Sequence, residues 1–194
     1  MITTLVSVGI IIILVGLLIA VTQWRKQQKD AAWRQFANEI GAEFIDGGFF
    51  RSSKVQAHIK EWTVTLDTYS VSTGDSAESY TRMRTSIQNK DGFQFTVFRK
   101  SFISKLDKAL GTPQIEIGDP DFDHDFVLRG NNELKAKAIF ANQRIRQLIQ
   151  AERSITMGIR KNELNVTVNG VIKDVERLKA LFELVSKTLN QLEG

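Results

Sequence analysis

Apolar residues dominate the start of the chain. From Ile2 to Val21 there are fourteen Ile, Leu or Val residues and no charged one. Twenty helical residues at ~1.5 Å each reach ~30 Å, the thickness of a hydrocarbon core. The pattern therefore predicts a transmembrane helix over residues 1–23. A cleaved signal peptide fits less well. No Lys or Arg precedes the apolar run, the run is longer than the usual ~7–15 residues, and Ala20-Val21-Thr22 is a poor cleavage site.

Beyond the run the periodicity changes. Residues 24–41 read as a juxtamembrane helix, with Ala32, Phe36 and Ile40 on one face beside Trp33 and Ala37, stopped at Gly41. Alternation then predicts strands. Val55, Ala57 and Ile59 alternate, Lys60-Glu61 turns, and Trp62, Val64 and Leu66 alternate again. Residues 70–79 read as a polar loop. Tyr80 to Ile87 and Phe93 to Phe98 read as strands around a turn at residues 89–92, so that the four strands form a meander of two hairpins.

The second half mixes the two periods. Residues 101–111 read as a short helix, and Gln114 to Ile117 and Phe126 to Arg129 as short strands. A helix follows, capped by Asn131 or Asn132 and running to about Glu152, with Leu134, Ala138, Ala141, Ile145 and Leu148 inward. Ser154 to Val168 is a hairpin turning at Lys161-Asn162. Asp174 caps a last helix whose stripe is Val175, Leu178, Phe182, Val185, Leu189 and Leu192. Steps of three and four would also suit a coiled coil, but Leu181 and Leu184 widen the face beyond a seam, so packing on the protein's own sheet is expected.

Charge changes the picture in one place. The 194-residue chain has 26 basic and 22 acidic residues. Arg25, Lys26, Lys29 and Arg34 stand within ten residues against Asp30 alone. The rest is nearly balanced, 22 basic against 21 acidic, so no nucleic-acid partner is expected. Basic residues flank one side of the run. That predicts an inner or plasma membrane protein, single-pass, with a cytoplasmic C-terminal domain. The expected partners are the lipid bilayer through Ile2–Val21, anionic lipid headgroups near Arg25, Lys26 and Lys29, and an unidentified protein. The chain has no cysteine, which excludes disulfides, thiolate metal sites and a cysteine nucleophile.

The densest candidate for chemistry is Gly118-Asp119-Pro120-Asp121-Phe122-Asp123-His124-Asp125-Phe126. Asp119, Asp121, Asp123 and Asp125 alternate like the first half of an EF-hand loop. The sixth position is then His124 rather than Gly and the twelfth is Gly130 rather than Glu, so the closing ligand is missing. The same residues also suit a structural corner, with carboxylates on backbone N–H groups and Phe122 and Phe126 in the core. His58 should face solvent from its strand. Arg82, Arg84, Arg99 and Lys100 could form a basic strip, which paired surface charges would also explain. No nucleophile elbow, phosphate loop or dinucleotide fingerprint is present, no cofactor is implied, and no catalytic residue is assigned.

The order of short motifs is similar to that of a known group. Trp33, Phe36, Ala37 and Gly41 give Trp-x-x-Phe-Ala ending in Gly. Tyr80-Thr81 opens a strand, and Gly118, Asp119, Phe122, Asp123 and Phe126 give Gly-Asp-x-x-Phe-Asp-x-x-Phe. In these features the chain resembles a group of bacterial single-pass membrane-anchored proteins, a resemblance that implies an anchor and carries no activity.

The expected fold is α+β: an N-terminal transmembrane helix, then residues 42–194 as one domain in which a curved antiparallel sheet packs against two C-terminal helices. A partly closed barrel plugged by the last helix is the variant. The expected function is a membrane-tethered cytoplasmic binding or scaffold module. The alternatives are a metal-assisted hydrolase using Asp119, Asp121, Asp123 and His124, or a domain that holds a lipid or small apolar ligand.

Overall fold

The computed structural model describes residues 2–48, 51–74, 76–102 and 113–193, with side chains from Ile13 onward except those of Thr73 and Phe102. Among these, helix α1 (Ile2–Ile40) leads into β1 (Glu43–Ile45), β2 (Lys54–Ile59), β3 (Trp62–Thr73), β4 (Ser76–Ser86) and β5 (Phe95–Arg99). β6 (Gln114–Ile115), α2 (Pro120–Asp125), β7 (Phe126–Gly130), α3 (Glu133–Ala141) and α4 (Gln143–Gln150) follow. The chain then adds β8 (Ile155–Arg160), β9 (Glu163–Asn169) and α5 (Val175–Glu193).

The strands form one sheet in the order β1-β2-β3-β4-β9-β8-β5-β7-β6, every neighbour antiparallel. Its register places one residue of every strand in a single transverse row. That row is Phe44, Val55, Leu66, Met83, Val166, Met157, Val97, Leu128 and Ile115. All are buried except Phe44, which is partly so. Side chains alternate across a pleat, so this row defines a helix-covered face.

Three helical segments cover it. Trp33, Phe36 and Ala37 come from the C-terminal half of α1. Ala136, Ile139, Phe140, Ile145, Leu148 and Ile149 come from α3 and α4, and Leu178, Leu181, Leu184, Val185 and Leu189 from α5. Phe140 meets Phe95 edge-on with ring centroids 5.5 Å apart. The Trp33 indole N–H donates to the Ile172 carbonyl at 3.0 Å, satisfying its one polar atom. Gly41, at φ 68°, stops α1 in a conformation that costs glycine nothing. Lys60 and Lys161 take positive φ, 52° and 55°, in two two-residue hairpin turns.

Several expectations are corrected. The transmembrane helix over residues 1–23 is not found: among the described residues no helix is long and apolar enough to cross a membrane. The described apolar side chains run from Ile13 only to Val21, about 13 Å of helix, and Arg25 and Lys26 follow within the next turn or so. The earlier part of the expected span carries side chains outside the described residues. The single-pass anchor is withdrawn with it, and the orientation inferred from basic flanks loses its premise.

The four-strand meander is also wrong. β4 and β5 do not pair, because the β8–β9 hairpin lies between them. Local pattern cannot show which distant strand fills a gap. Residues 70–79 are not a loop but the outer arm of the β3–β4 hairpin, turning near Gly74. Their Ser and Thr residues give no apolar alternation because neither face of the arm is buried. The helix of 131–152 is two helices, broken at Asn142. That residue adopts extended φ/ψ, and its side chain accepts from the N–H groups of Arg144 and Ile145. The break rotates the buried face, so Leu134 is 82% exposed and Ala138 and Ala141 are also exposed. The helix layer includes α1 as well as the C-terminal helices. Among the described residues β1 and β6 are the edges of the sheet and do not pair with each other, so it does not close into a barrel. The helix expected over 101–111 lies mostly outside the described residues.

The transverse row predicts unequal costs. Met157→Ala, in the bridging hairpin, should lower stability by about 2–5 kcal/mol through lost burial and a cavity. Leu134→Ala should stay within about 0.5 kcal/mol of wild type, because that side chain is solvated already. Urea unfolding followed by far-UV circular dichroism checks both. Equal effects would contradict the register.

Candidate functional site

The acidic segment folds as a tight corner on α2. Asp119 sits at the N-cap with Pro120 at the first helical position, and its carboxylate accepts from the Phe122 N–H at 3.2 Å. Its second oxygen accepts from Arg146 Nε at 2.8 Å. Asp123 accepts from the N–H groups of Ile117 and Gly118, at 3.2 and 2.9 Å, and so closes the loop behind it. Asp125 pairs with Arg99 at 2.7 Å and with the exposed His124 at 3.0 Å. Asp121 is exposed, and no bond from its carboxylate is seen among the described residues. Phe122, fully buried, stacks on Phe126 at 4.9 Å and lies 5.7 Å from Phe140.

The four aspartates thus point to different partners. Asp119 faces Arg146 of α4, Asp123 faces its own loop, Asp125 faces Arg99 of β5, and Asp121 faces solvent. Among the described residues no group of three or more His, Asp or Glu side chains could hold a metal ion. The Phe122 N–H, and then Arg146, hold the Asp119 carboxyl below its usual range. His124, and then Arg99, do the same for Asp125.

A second region gathers residues from distant parts of the sequence. Where α1 leaves the sheet, Ile13, Leu14, Val15, Leu17, Leu18, Ile19 and Val21 are exposed apolar side chains. One turn on, Trp24 is 59% exposed, with the Lys173 ammonium 6.0 Å from its ring. Lys173 also donates to Gln28 at 2.9 Å, tying the β9–α5 loop to α1. Lys26 donates to the Gly48 carbonyl, and Arg25 is exposed with no bond among the described residues. Lys29 departs from expectation. It is 7% exposed, with its ammonium 4.7 Å from the Trp33 ring and 3.4 Å from Asp30, and desolvation lowers its pKa. It braces α1 against the domain and does not face a headgroup. Lys173 is the member the sequence did not reveal, because 149 residues separate it from Trp24.

His58 faces out from β2, with its Nδ1 3.2 Å from the Thr63 hydroxyl. A cleft of about 500 Å³ runs along α5, lined by Ile40, Arg144, Lys179, Phe182, Glu183 and Lys187. Its charges neutralise one another: Arg144 grips Glu183 with two bonds of 2.9 and 2.6 Å, and Lys179 pairs with Glu39 and Glu176.

No protein-family model and no curated protein matches the chain. Among solved structures it is similar to the crystal structure of the mycobacterial trehalose monomycolate transport factor A, TtfA. The TM-score is 0.52 at 11% identity, over 84% of this chain and 94% of that one. The likeness shows the fold alone. It spans nearly all of that chain.

Two outcomes are expected at the acidic corner. Phe122→Ala should cost about 3–5 kcal/mol and Asp121→Ala less than about 0.5 kcal/mol, with neither Mg²⁺ nor Ca²⁺ shifting the wild-type melting temperature. A rise with either ion that vanishes in Asp121→Ala would make the corner a metal site. The lowered carboxyls add a pH dependence. Their stabilisation is complete above the ordinary Asp range and is lost as pH falls through the lower folded values. The urea midpoint should therefore fall less steeply between about pH 5 and about pH 2.5 in Asp119→Asn than in wild type.

Proposed function

We propose that the protein is a non-catalytic binding module whose ligand is a lipid or similar anionic amphiphile, taken where α1 leaves the sheet. The observation that supports this most is the contact of two unlike surfaces. An exposed apolar row, Ile13 to Val21, adjoins a basic and aromatic collar of Trp24, Arg25, Lys26 and Lys173. An amphiphile needs that sequence of surfaces: alkyl area to cover, then cations for its head and an indole at the junction. A contiguous exposed apolar patch of this kind is uncommon on a protein surface without a ligand or partner. The likeness to TtfA, a transport factor for trehalose monomycolate, gives the lipid reading further support at the level of fold.

A metal-assisted hydrolase has less behind it. Asp119, Asp123 and Asp125 spend their lone pairs on a helix cap, a loop and an arginine, so a reaction at the corner would first have to dismantle it.

Dihexanoyl phosphatidylglycerol, kept monomeric, tests the proposal on the full chain. Saturable binding by calorimetry is expected, with a blue shift from Trp24, since Trp33 and Trp62 are already buried. Replacing Arg25 or Lys26 with Ala should weaken binding about fivefold each, or ~1 kcal/mol per cation. Trp24→Phe should remove the spectral shift while the heat persists. Absence of saturable binding, or binding indifferent to both cation variants, would refute it.

A further inference from the structure

The face of the sheet away from the helices carries two polar rows. One runs Thr65, Arg84, Asn165, Gly158 and Thr96, the other Asp67, Arg82, Thr167 and Thr156. Asp67 is only 5% exposed and sits beneath two guanidiniums. It accepts from Arg82 Nε and Nη2, both at 2.9 Å, and from Arg84 Nε at 3.2 Å. The Tyr69 ring, 4.9 Å away, supports Arg82 from the side. One buried carboxylate thus fixes both forks, and the ordering cost is met before any ligand arrives.

What the two guanidiniums leave unused is donors alone. Among the described residues, Arg82 Nη1 and Arg84 Nη2 have no acceptor, and Arg84 Nη1 reaches Glu163 only at 3.5 Å. Thr167 donates to Asn165 Oδ1 at 2.8 Å, which orients the amide, and among the described residues its Nδ2 has no acceptor. Asn165 lies directly across from Arg84, and Arg82 stands two residues along the same strand face. Around Asn165 the guanidiniums of Arg82, Arg84 and Arg160 meet the carboxylates of Asp67 and Glu163, leaving a local positive surplus. Gly158 keeps the floor beside Asn165 low, since a Cβ there would strike the Phe95 carbonyl oxygen.

We propose that Arg82, Arg84 and Asn165 form a binding site for a phosphate group, separate from the amphiphile patch and independent of it. The fixed donors point to an acceptor-only ligand, and the surplus charge to an anion. Asp67 is a positioning residue: both its oxygens are taken by arginines, so it aims them and touches no ligand.

Titration calorimetry of the full chain in chloride at constant ionic strength tests the site. The probes are inorganic phosphate, glycerol 3-phosphate and dihexanoyl phosphatidylglycerol. Saturable binding of the first two is expected, weakened about tenfold by Arg84→Gln and about fivefold by Asn165→Ala. Arg25→Ala and Lys26→Ala should leave phosphate binding unchanged, which separates failure of this site from failure of the α1 patch. Asn165 takes no part in holding Asp67, so its variant decides if Arg84→Gln unfolds. Equal binding of both soluble phosphates would make the phosphate group itself the ligand, as proposed. Absence of saturable heat from both, or wild-type affinity in the variants, overturns the site. So does binding confined to the phosphatidylglycerol and lost in Arg25→Ala.

Discussion

The apolar row that crosses all nine strands is the constraint on which the remainder of the fold rests. Phe44, Val55, Leu66, Met83, Val166, Met157, Val97, Leu128 and Ile115 align only if each strand keeps its register. A slip of one residue would turn a strand's apolar set to the polar face. The row closes only when β8 and β9, from late in the chain, enter between β4 and β5. Until then the two halves of the sheet have no shared ladder. The fold therefore depends on strand pairings remote in sequence, which are costly in loop closure and repaid by a continuous core.

The helix layer is anchored by a few specific bonds between apolar contacts. Trp33 reaches the Ile172 carbonyl, and Ile172 N–H donates in turn to the Thr81 hydroxyl at 2.9 Å, which donates to the Gly170 carbonyl. A short relay thus joins α1, the loop before α5 and strand β4. Glu152, almost wholly buried, takes two bonds from Arg177 at 2.8 and 2.6 Å and fixes the end of α4 to the start of α5. A buried charge of this kind is tolerated because its partner and hydrogen bonds are complete. The acidic corner obeys the same rule. Its carboxylates satisfy backbone N–H groups and arginines around the Phe122–Phe126 stack, so a segment that looks like half a cation loop is a corner post between β6, α4 and β7.

The two faces of the sheet divide the labour. One is consumed by stability. The other keeps its charges, and the pleat alone brings Asp67, Arg82, Arg84 and Asn165 from three strands into one patch. The exposed start of α1 adds a surface of a different kind, apolar and next to cations. Both binding proposals lie on surface that the core does not need, and the likeness to TtfA is a likeness of the scaffold beneath them.

Local pattern by itself determined much of this protein. Alternation located β2, β3, β8 and β9 and their two-residue turns, because a half-buried strand must alternate whatever its neighbour is. The helix residues Trp33, Phe36, Ala37, Leu178, Val185 and Leu189 were legible as core for the corresponding reason at period 3.6, and Asn132 and Asp174 as caps. The apolar run to Val21 was legible as composition, but the spanning helix drawn from it was not sustained, since composition does not say what an apolar segment does. Only the tertiary structure decided strand order, the break at Asn142, the pairing of the Ser-rich arm, and the meetings of Lys173 with Trp24 and of Asp67 with two arginines. Each depends on which distant segment arrives beside which. A periodic pattern reports the existence of a buried face but never the identity of its partner.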